Sequence, residues 1–227
     1  MEIGAGRGEL TLDIAERVKR LIAVEIDKNL CEILKVKLKD FRNVEVVCED
    51  ILKYEFGGRN WKVIGNLPYK ISTPILTYLI NNRSKIAQIF ISLQKELAQR
   101  LVASPDNKDY GAFTLFVQYY TEPEILFSIK KSCFFPSPRV DSAFLKLDLK
   151  KKLEFSVKNE LLLFKIIKKT FSQRRKMLKN SLEDLFQKDM IKRTFEELKL
   201  ALNVRPEELS LADFCRITDL FSKPNFV

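Results

Sequence analysis

A glycine-rich run, Gly4-Ala5-Gly6-Arg7-Gly8, follows a short apolar stub and leads into a segment of helical period. Glycines at that spacing let a backbone turn sharply at a helix N-terminus and approach a ligand closely. GxGxG is a looser pattern than GxGxxG, and alone it fits a plain glycine turn equally well. Glu25 adds chemistry. It closes the next β-branched run, where an acidic side chain can take both hydroxyls of a ribose. Asp50 closes the run after that, where a carboxylate can meet the exocyclic amine of an adenine. For either acid the plain alternative is a helix N-cap or a solvated loop charge. Together the three features predict an adenosine cleft on the carboxyl edge of a parallel sheet, suited to NAD or to S-adenosylmethionine.

Asn66-Leu67-Pro68-Tyr69 discriminates between those two ligands. It follows the fourth strand candidate and so falls on the same sheet edge. An amide oxygen and a backbone carbonyl are both acceptors, and an aromatic face lies next to them. That array suits a planar amine whose N–H groups are held while the ring stacks on its base. Farther along, Phe135 precedes Pro136 in a proline-stiffened loop that runs to Ser142. It is either the opposite wall of a flipped-base slot or an ordinary buried phenylalanine. Gln173-Arg174-Arg175-Lys176 with Lys179 forms a basic cluster fit for phosphates, or simply a solvated helix face. Glu96 reads first as a charge complementing a helix N-terminus, and second as a lining residue.

The elements that must position these residues alternate between two periods. Strand candidates are 1–3, 21–25, 44–48, 62–65 and 88–93, with helical segments at 9–19 and 29–39 between them. Ser72 or Thr73 is placed to cap a helix reaching about residue 81, with Pro74 in its first turn. Helices at 95–103 and 112–120 follow, then two strands around a Pro-rich loop between 124 and 149. This is the pattern of an α/β Rossmann-like sheet with an antiparallel last strand. After the lysine run 150–152 the sequence turns helical, with apolar Leu161, Phe164, Ile167 and Phe171 on one face. Ser210 and Asp213 have capping-box spacing for a last helix. The domains expected are 1–150 and a small all-α domain, 151–227.

Composition removes several classes of function. Among 227 residues there is no histidine, which excludes Ser-His-Asp and Cys-His nucleophile systems and His-ligated metals. Cys31, Cys48, Cys133 and Cys215 have no CxxC spacing and read as free buried thiols of a reducing compartment, hence the cytoplasm. No apolar stretch approaches the roughly 20 residues that span a bilayer, and no signal peptide opens the sequence. The net charge is +10, and residues 150–227 hold 18 basic against 11 acidic side chains. A polyanionic partner fits that balance, and the surplus places it on the helical domain.

At this point the sequence resembles the KsgA-type small-subunit rRNA adenine dimethyltransferases, a branch of the class I S-adenosylmethionine-dependent methyltransferases. The matching pieces run in family order: Glu2-Ile3-Gly4-Ala5-Gly6-Arg7-Gly8, Val24-Glu25-Ile26-Asp27, Glu49-Asp50 and Gly65-Asn66-Leu67-Pro68-Tyr69. Ile71-Ser72-Thr73-Pro74, Gln94-Lys95-Glu96, Tyr110-Gly111, the run Phe135 to Ser142 and Phe171-Ser172-Gln173-Arg174-Arg175-Lys176 continue it. Family members carry a further N-terminal segment of Gln-Asn-Phe-Leu type and a full first strand, so this sequence reads as N-terminally truncated.

The resemblance implies methyl transfer from S-adenosylmethionine to N6 of two adjacent adenines near the 3′ end of small-subunit rRNA, each twice. It places Glu2, Gly4, Gly6, Glu25, Ile26, Asp50 and Asn66 in the donor pocket, and Asn66, Leu67, Pro68, Tyr69 and Phe135 around the target base. Arg174, Arg175, Lys176 and Lys179 would bind RNA. No metal is expected, the product is S-adenosylhomocysteine, and the partner is rRNA within a pre-assembled small subunit, met by a cytoplasmic monomer away from membranes. Two rivals stand beside this: a large-subunit adenine N6-methyltransferase of the antibiotic-resistance type, and a non-catalytic RNA-binding assembly factor.

Overall fold

The structure, a computed structural model, describes residues 1–173 and 176–223. Seven strands form one sheet: β1 (Glu2–Ile3), β2 (Leu21–Glu25), β3 (Val44–Cys48), β4 (Trp61–Asn66), β5 (Ile86–Gln94), β6 (Thr121–Ile129) and β7 (Ser142–Leu149). Their order is β3-β2-β1-β4-β5-β7-β6. β1 to β5 pair in parallel, and β7 runs antiparallel to both β5 and β6. The helices are α1 (Glu9–Ala15), α2 (Lys28–Lys37), α3 (Ser72–Asn81), α4 (Lys95–Leu101), α5 (Ala112–Tyr120), α6 (Glu160–Phe171), α7 (Leu178–Leu182), α8 (Lys188–Glu197) and α9 (Leu211–Phe221).

β2 is buried along its whole length, as a central parallel strand with both faces covered should be. Ala5, Ala23, Leu34 and Leu38 join the glycine turn, β2 and α2 in one apolar cluster. α3 buries Ile75, Leu76, Leu79 and Ile80. The winding reverses between β1 and β4: β2 and β3 lie on one side of β1, β4 and β5 on the other. A crevice at the carboxyl ends of strands flanking such a reversal is where open α/β sheets take ligands.

Two compact units divide the chain. One holds Met1–Ala98 and Thr121–Leu149, and therefore the whole sheet. The other holds Gln99–Tyr120 and the chain from Lys150 onward. A single boundary near residue 150 does not show this excursion. Its cause is aromatic: Phe116, Tyr119 and Tyr120 of α5 pack on Phe164 of α6, with centroids 5.5–5.7 Å apart. The Tyr119 and Tyr120 hydroxyls also donate to Glu160, at 3.4 and 2.7 Å. Phe171 continues the same core, in contact with Tyr110 and Phe214.

Several elements differ from their sequence readings for local reasons. The first helix stops at Ala15 rather than reaching residue 19, because the Asn43 amide donates to the carbonyls of Ala15 and Val18 and ends it. α3 has no side-chain cap; the Ser72 hydroxyl instead donates to Pro68 O at 3.1 Å. At α9 the capping box forms as spaced, with Ser210 N donating to Asp213 and Asp213 N to Ser210. The cysteines require a correction. Cys31 and Cys48 are joined in a disulfide, Cys133 is free and exposed, and only Cys215 is a free buried thiol. β3 is the edge strand beside α2, so residues 17 apart in sequence meet across one strand-to-helix contact.

Candidate active site

The glycine turn leaves β1 and starts α1. Gly8 sits at the helix N-cap with φ 85°, and a Cβ there would come within 2.9 Å of the Leu34 side chain, so both backbone and space favour glycine. Gly65, one residue before Asn66, has a different reason: its Cβ would lie 2.7 Å from the Ile3 carbonyl across the β1–β4 pair. The absence of a side chain there lets the two strands that carry the site run close together.

Glu25 ends β2 and is 7% exposed. Its Oε2 accepts from Gly6 N at 2.9 Å, and its Oε1 accepts from Ile26 N and Asp27 N at 2.9 and 3.0 Å. This carboxylate therefore ties the glycine turn to the start of α2, which Asp27 caps through Asn29 N and Leu30 N. By its usual capacity of about four acceptor sites, it keeps room for one more donor. Ile26 beside it is 67% exposed, an apolar face at the sheet edge. Asp50 follows β3 and caps the 3₁₀ turn Ile51–Lys53 by accepting from Leu52 N at 3.0 Å. The N-cap alternative for Asp50 is thus realised in one of its oxygens.

Glu2 in β1 was singled out only by resemblance. It is 2% exposed, and its Oε2 has no hydrogen-bond partner among the described residues. Burial pushes its carboxyl up to about 7, against the opposing pull of the neighbouring Thr11 hydroxyl and the terminal amine. A buried acceptor without a donor has a place for a cationic or N–H group of a ligand.

Asn66 is the last residue of β4, exposed, in register with Ser92. A Cβ built on Gly4 would lie 3.8 Å from the Asn66 carbonyl, so the glycine turn and the tetrapeptide are neighbours on adjoining strands. Leu67 is buried and its N–H donates to Ser92 O at 3.1 Å, which fixes the chain as it leaves the sheet. Pro68 is exposed, and its carbonyl accepts from Ile71 N and the Ser72 hydroxyl. Tyr69 is half-buried with its hydroxyl 2.7 Å from Ser142 Oγ. Ser142 is a contact that spacing did not reveal, since 73 residues separate the pair.

Phe135 stands fully exposed in the loop before β7, so the ordinary buried-phenylalanine alternative does not hold. Asp141 anchors that loop, accepting from Lys131 N and Lys95 N. Glu96 lies in the first turn of α4. A cavity of about 510 Å³ lined by Met1, Leu21, Trp61 and Phe90 lies at the amino ends of the strands and shares no residue with this site.

A family model described as ribosomal RNA adenine dimethylase matches residues 1–223. This chain belongs to the ribosomal RNA adenine dimethylase family. A relative from Lachnoclostridium phytofermentans, "Ribosomal RNA small subunit methyltransferase A", is 41% identical over 98% of this chain and 81% of its own length. One of the same name from Alkaliphilus oremlandii is 40% identical over 94% and 78%. Among solved structures, a dimethyladenosine transferase from Plasmodium falciparum superposes with a TM-score of 0.82 at 26% identity, over 95% of this chain and 86% of that one. The 23S rRNA methyltransferase ErmE, at 22% identity and a TM-score of 0.76, shares the fold. The α/β class I methyltransferase architecture is therefore that of the dimethylase family. Of its basic cluster, Lys176 is exposed and Lys179 half-buried in α7, while Arg174 and Arg175 lie outside the described residues.

Proposed function

We propose that this member of the dimethylase family transfers methyl groups from S-adenosylmethionine to N6 of two adjacent adenines near the 3′ end of small-subunit rRNA, two to each. The observation that carries the reading is the adjacency of the glycine turn and Asn66-Leu67-Pro68-Tyr69 on the neighbouring strands β1 and β4 at the reversal of the sheet. The relatives named for small-subunit methylation favour that substrate over the large-subunit rival. They also favour catalysis over a purely structural assembly role.

The donor suits the residues present. Glu2 Oε2 is a buried acceptor with no partner among the described residues, and Glu25 keeps an acceptor site beside a turn of backbone N–H groups. Glu2 and the turn would take the methionine end, Glu25 the ribose, and Ile26 with Asp50 the adenine. When bound, the donor supplies an electrophilic sulfonium methyl.

The chain's own work is orientation. Asn66 Oδ1 and the Leu67 carbonyl accept the two N–H groups of the target amine and turn its lone pair toward the methyl. Tyr69 stacks on the extruded base, and exposed Phe135 forms the other wall. The amine nitrogen forms the new N–C bond as the S–C bond breaks, and its proton leaves for solvent afterward, so the histidine-free site needs no general base. The cluster 174–179 holds phosphates. The work is done by a monomer on a pre-assembled small subunit; the rRNA substrate alone supports a cytoplasmic setting, since the Cys31–Cys48 disulfide removes the argument from free thiols.

Incubating under-methylated small subunits with labelled donor, and mapping the modified nucleotides, tests the assignment. Label confined to N6 of two adjacent adenines near the 3′ end is the expected result. Label on a large-subunit adenine, or donor binding with no transfer to either subunit, would overturn it in favour of the respective rival.

A further inference from the structure

Ser142 is the first residue of β7, and nothing of it reaches solvent. It sits in register with Gln94 of β5 on one side and Ile129 of β6 on the other. A hydroxyl in such a place is costly unless paired. Its partner is the Tyr69 hydroxyl, 2.7 Å away. Tyr69 itself lies on the short 3₁₀ turn Tyr69–Ile71. The half-buried Tyr69 side chain is tied by this bond to Ser142, whose backbone is held by strand partners on both sides. The serine is also the point where the loop carrying Phe135 enters the sheet, with Asp141 just before it binding Lys95 N and Lys131 N.

We propose that Ser142 is a positioning residue for base stacking. Its hydroxyl holds the Tyr69 ring at a set height and tilt, at the foot of the loop that carries the second aromatic wall. The inference rests on the reading of Tyr69 as the stacking residue. It also changes the standing of the Tyr69 hydroxyl. Stacking alone needs only the ring, so Tyr69→Phe would be silent; with the ring anchored through its hydroxyl, Tyr69→Phe and Ser142→Ala remove one and the same interaction.

The test is a double-mutant cycle in single-turnover methylation of under-methylated small subunits at saturating donor. Ser142→Ala and Tyr69→Phe should each slow transfer about three- to tenfold, the usual range for one lost hydrogen bond. The double variant should be no slower than the slower single, and donor affinity should match wild type in all three. A double variant whose losses multiply, or either single variant at the wild-type rate, overturns the proposal. If Ser142→Ala lowers the yield of folded protein, the Tyr69→Phe arm decides alone. Tyr69→Ala separates the two layers: severe loss there with wild-type Tyr69→Phe defeats only the positioning role, while wild-type Tyr69→Ala defeats the stacking assignment itself.

Discussion

Glu25 does structural work at the position proposed for the donor's ribose. Three backbone N–H groups from two segments converge on it, so removing it loosens the glycine turn as well as any ribose contact. Glu25→Ala should therefore weaken S-adenosylmethionine binding by about 1.5–3 kcal/mol, measured by calorimetry. Unchanged affinity would remove Glu25 from the donor site. Glu2 makes a different kind of claim. Its carboxyl is raised from 4.5 to about 7 by burial, so the folded protein binds this proton more tightly than the unfolded chain does. The group's stabilisation is full below pH 4.5 and is lost as pH rises through about 7. Relative to Glu2→Gln, the wild type should lose about 3 kcal/mol between pH 4 and pH 8 in urea unfolding. A difference that does not change with pH would show that Glu2 is solvated.

Among the elements, what the sequence discloses depends on how local the cause is. Strands 21–25 and 44–48 and helices 112–120 and 160–171 follow from periodicity alone, and they stand where that periodicity puts them. The first helix ends short of its periodic reach because its stop signal, Asn43, arrives from another element. α8 buries Ile191, Thr194 and Phe195 on one face, and its few apolar residues among many charged ones give it a low mean hydrophobic content that does not stand out in the sequence. The positions of the glycine turn, Glu25 and Asn66 are legible because each sits directly at a strand end. Ser142 is not, because its role needs a contact across 73 residues. The disulfide is not legible for the same kind of reason: edge-strand Cys48 meets Cys31 only once α2 is docked. That bridge closes a loop whose ends are 17 residues apart and should stabilise the protein by about 3 kcal/mol. Urea midpoints with and without reductant test it, together with a thiol count in denaturant. Two titratable thiols and a reductant-sensitive midpoint are expected; four thiols and no shift would rule the bridge out.

For the whole molecule, the proposed division of labour follows the chain's charge. The sheet-bearing unit contains every residue assigned to donor and base, and the helical unit carries most of the basic surplus. Replacing Arg174, Arg175 and Lys176 together by Ala should weaken binding to the small subunit and flatten its salt dependence, because fewer counterions are released. Donor affinity should be untouched. An unchanged slope of log affinity against log salt would reduce the cluster to a solvated face.

The proposed site works by aiming an amine, and Asn66 carries that role. Asn66 ends β4 beside the glycine turn, exposed and fixed by its register with Ser92. Its side chain should matter most once a base is in place, so Asn66→Ala should lose little affinity for the donor, whose pocket it also borders, and keep nearly wild-type affinity for the small subunit. Single-turnover methylation of under-methylated small subunits at saturating donor measures the remaining step directly. Asn66→Ala should slow it by about a hundredfold or more, the scale of lost alignment at reacting atoms. An Asn66→Ala protein that methylates at the wild-type rate would contradict it.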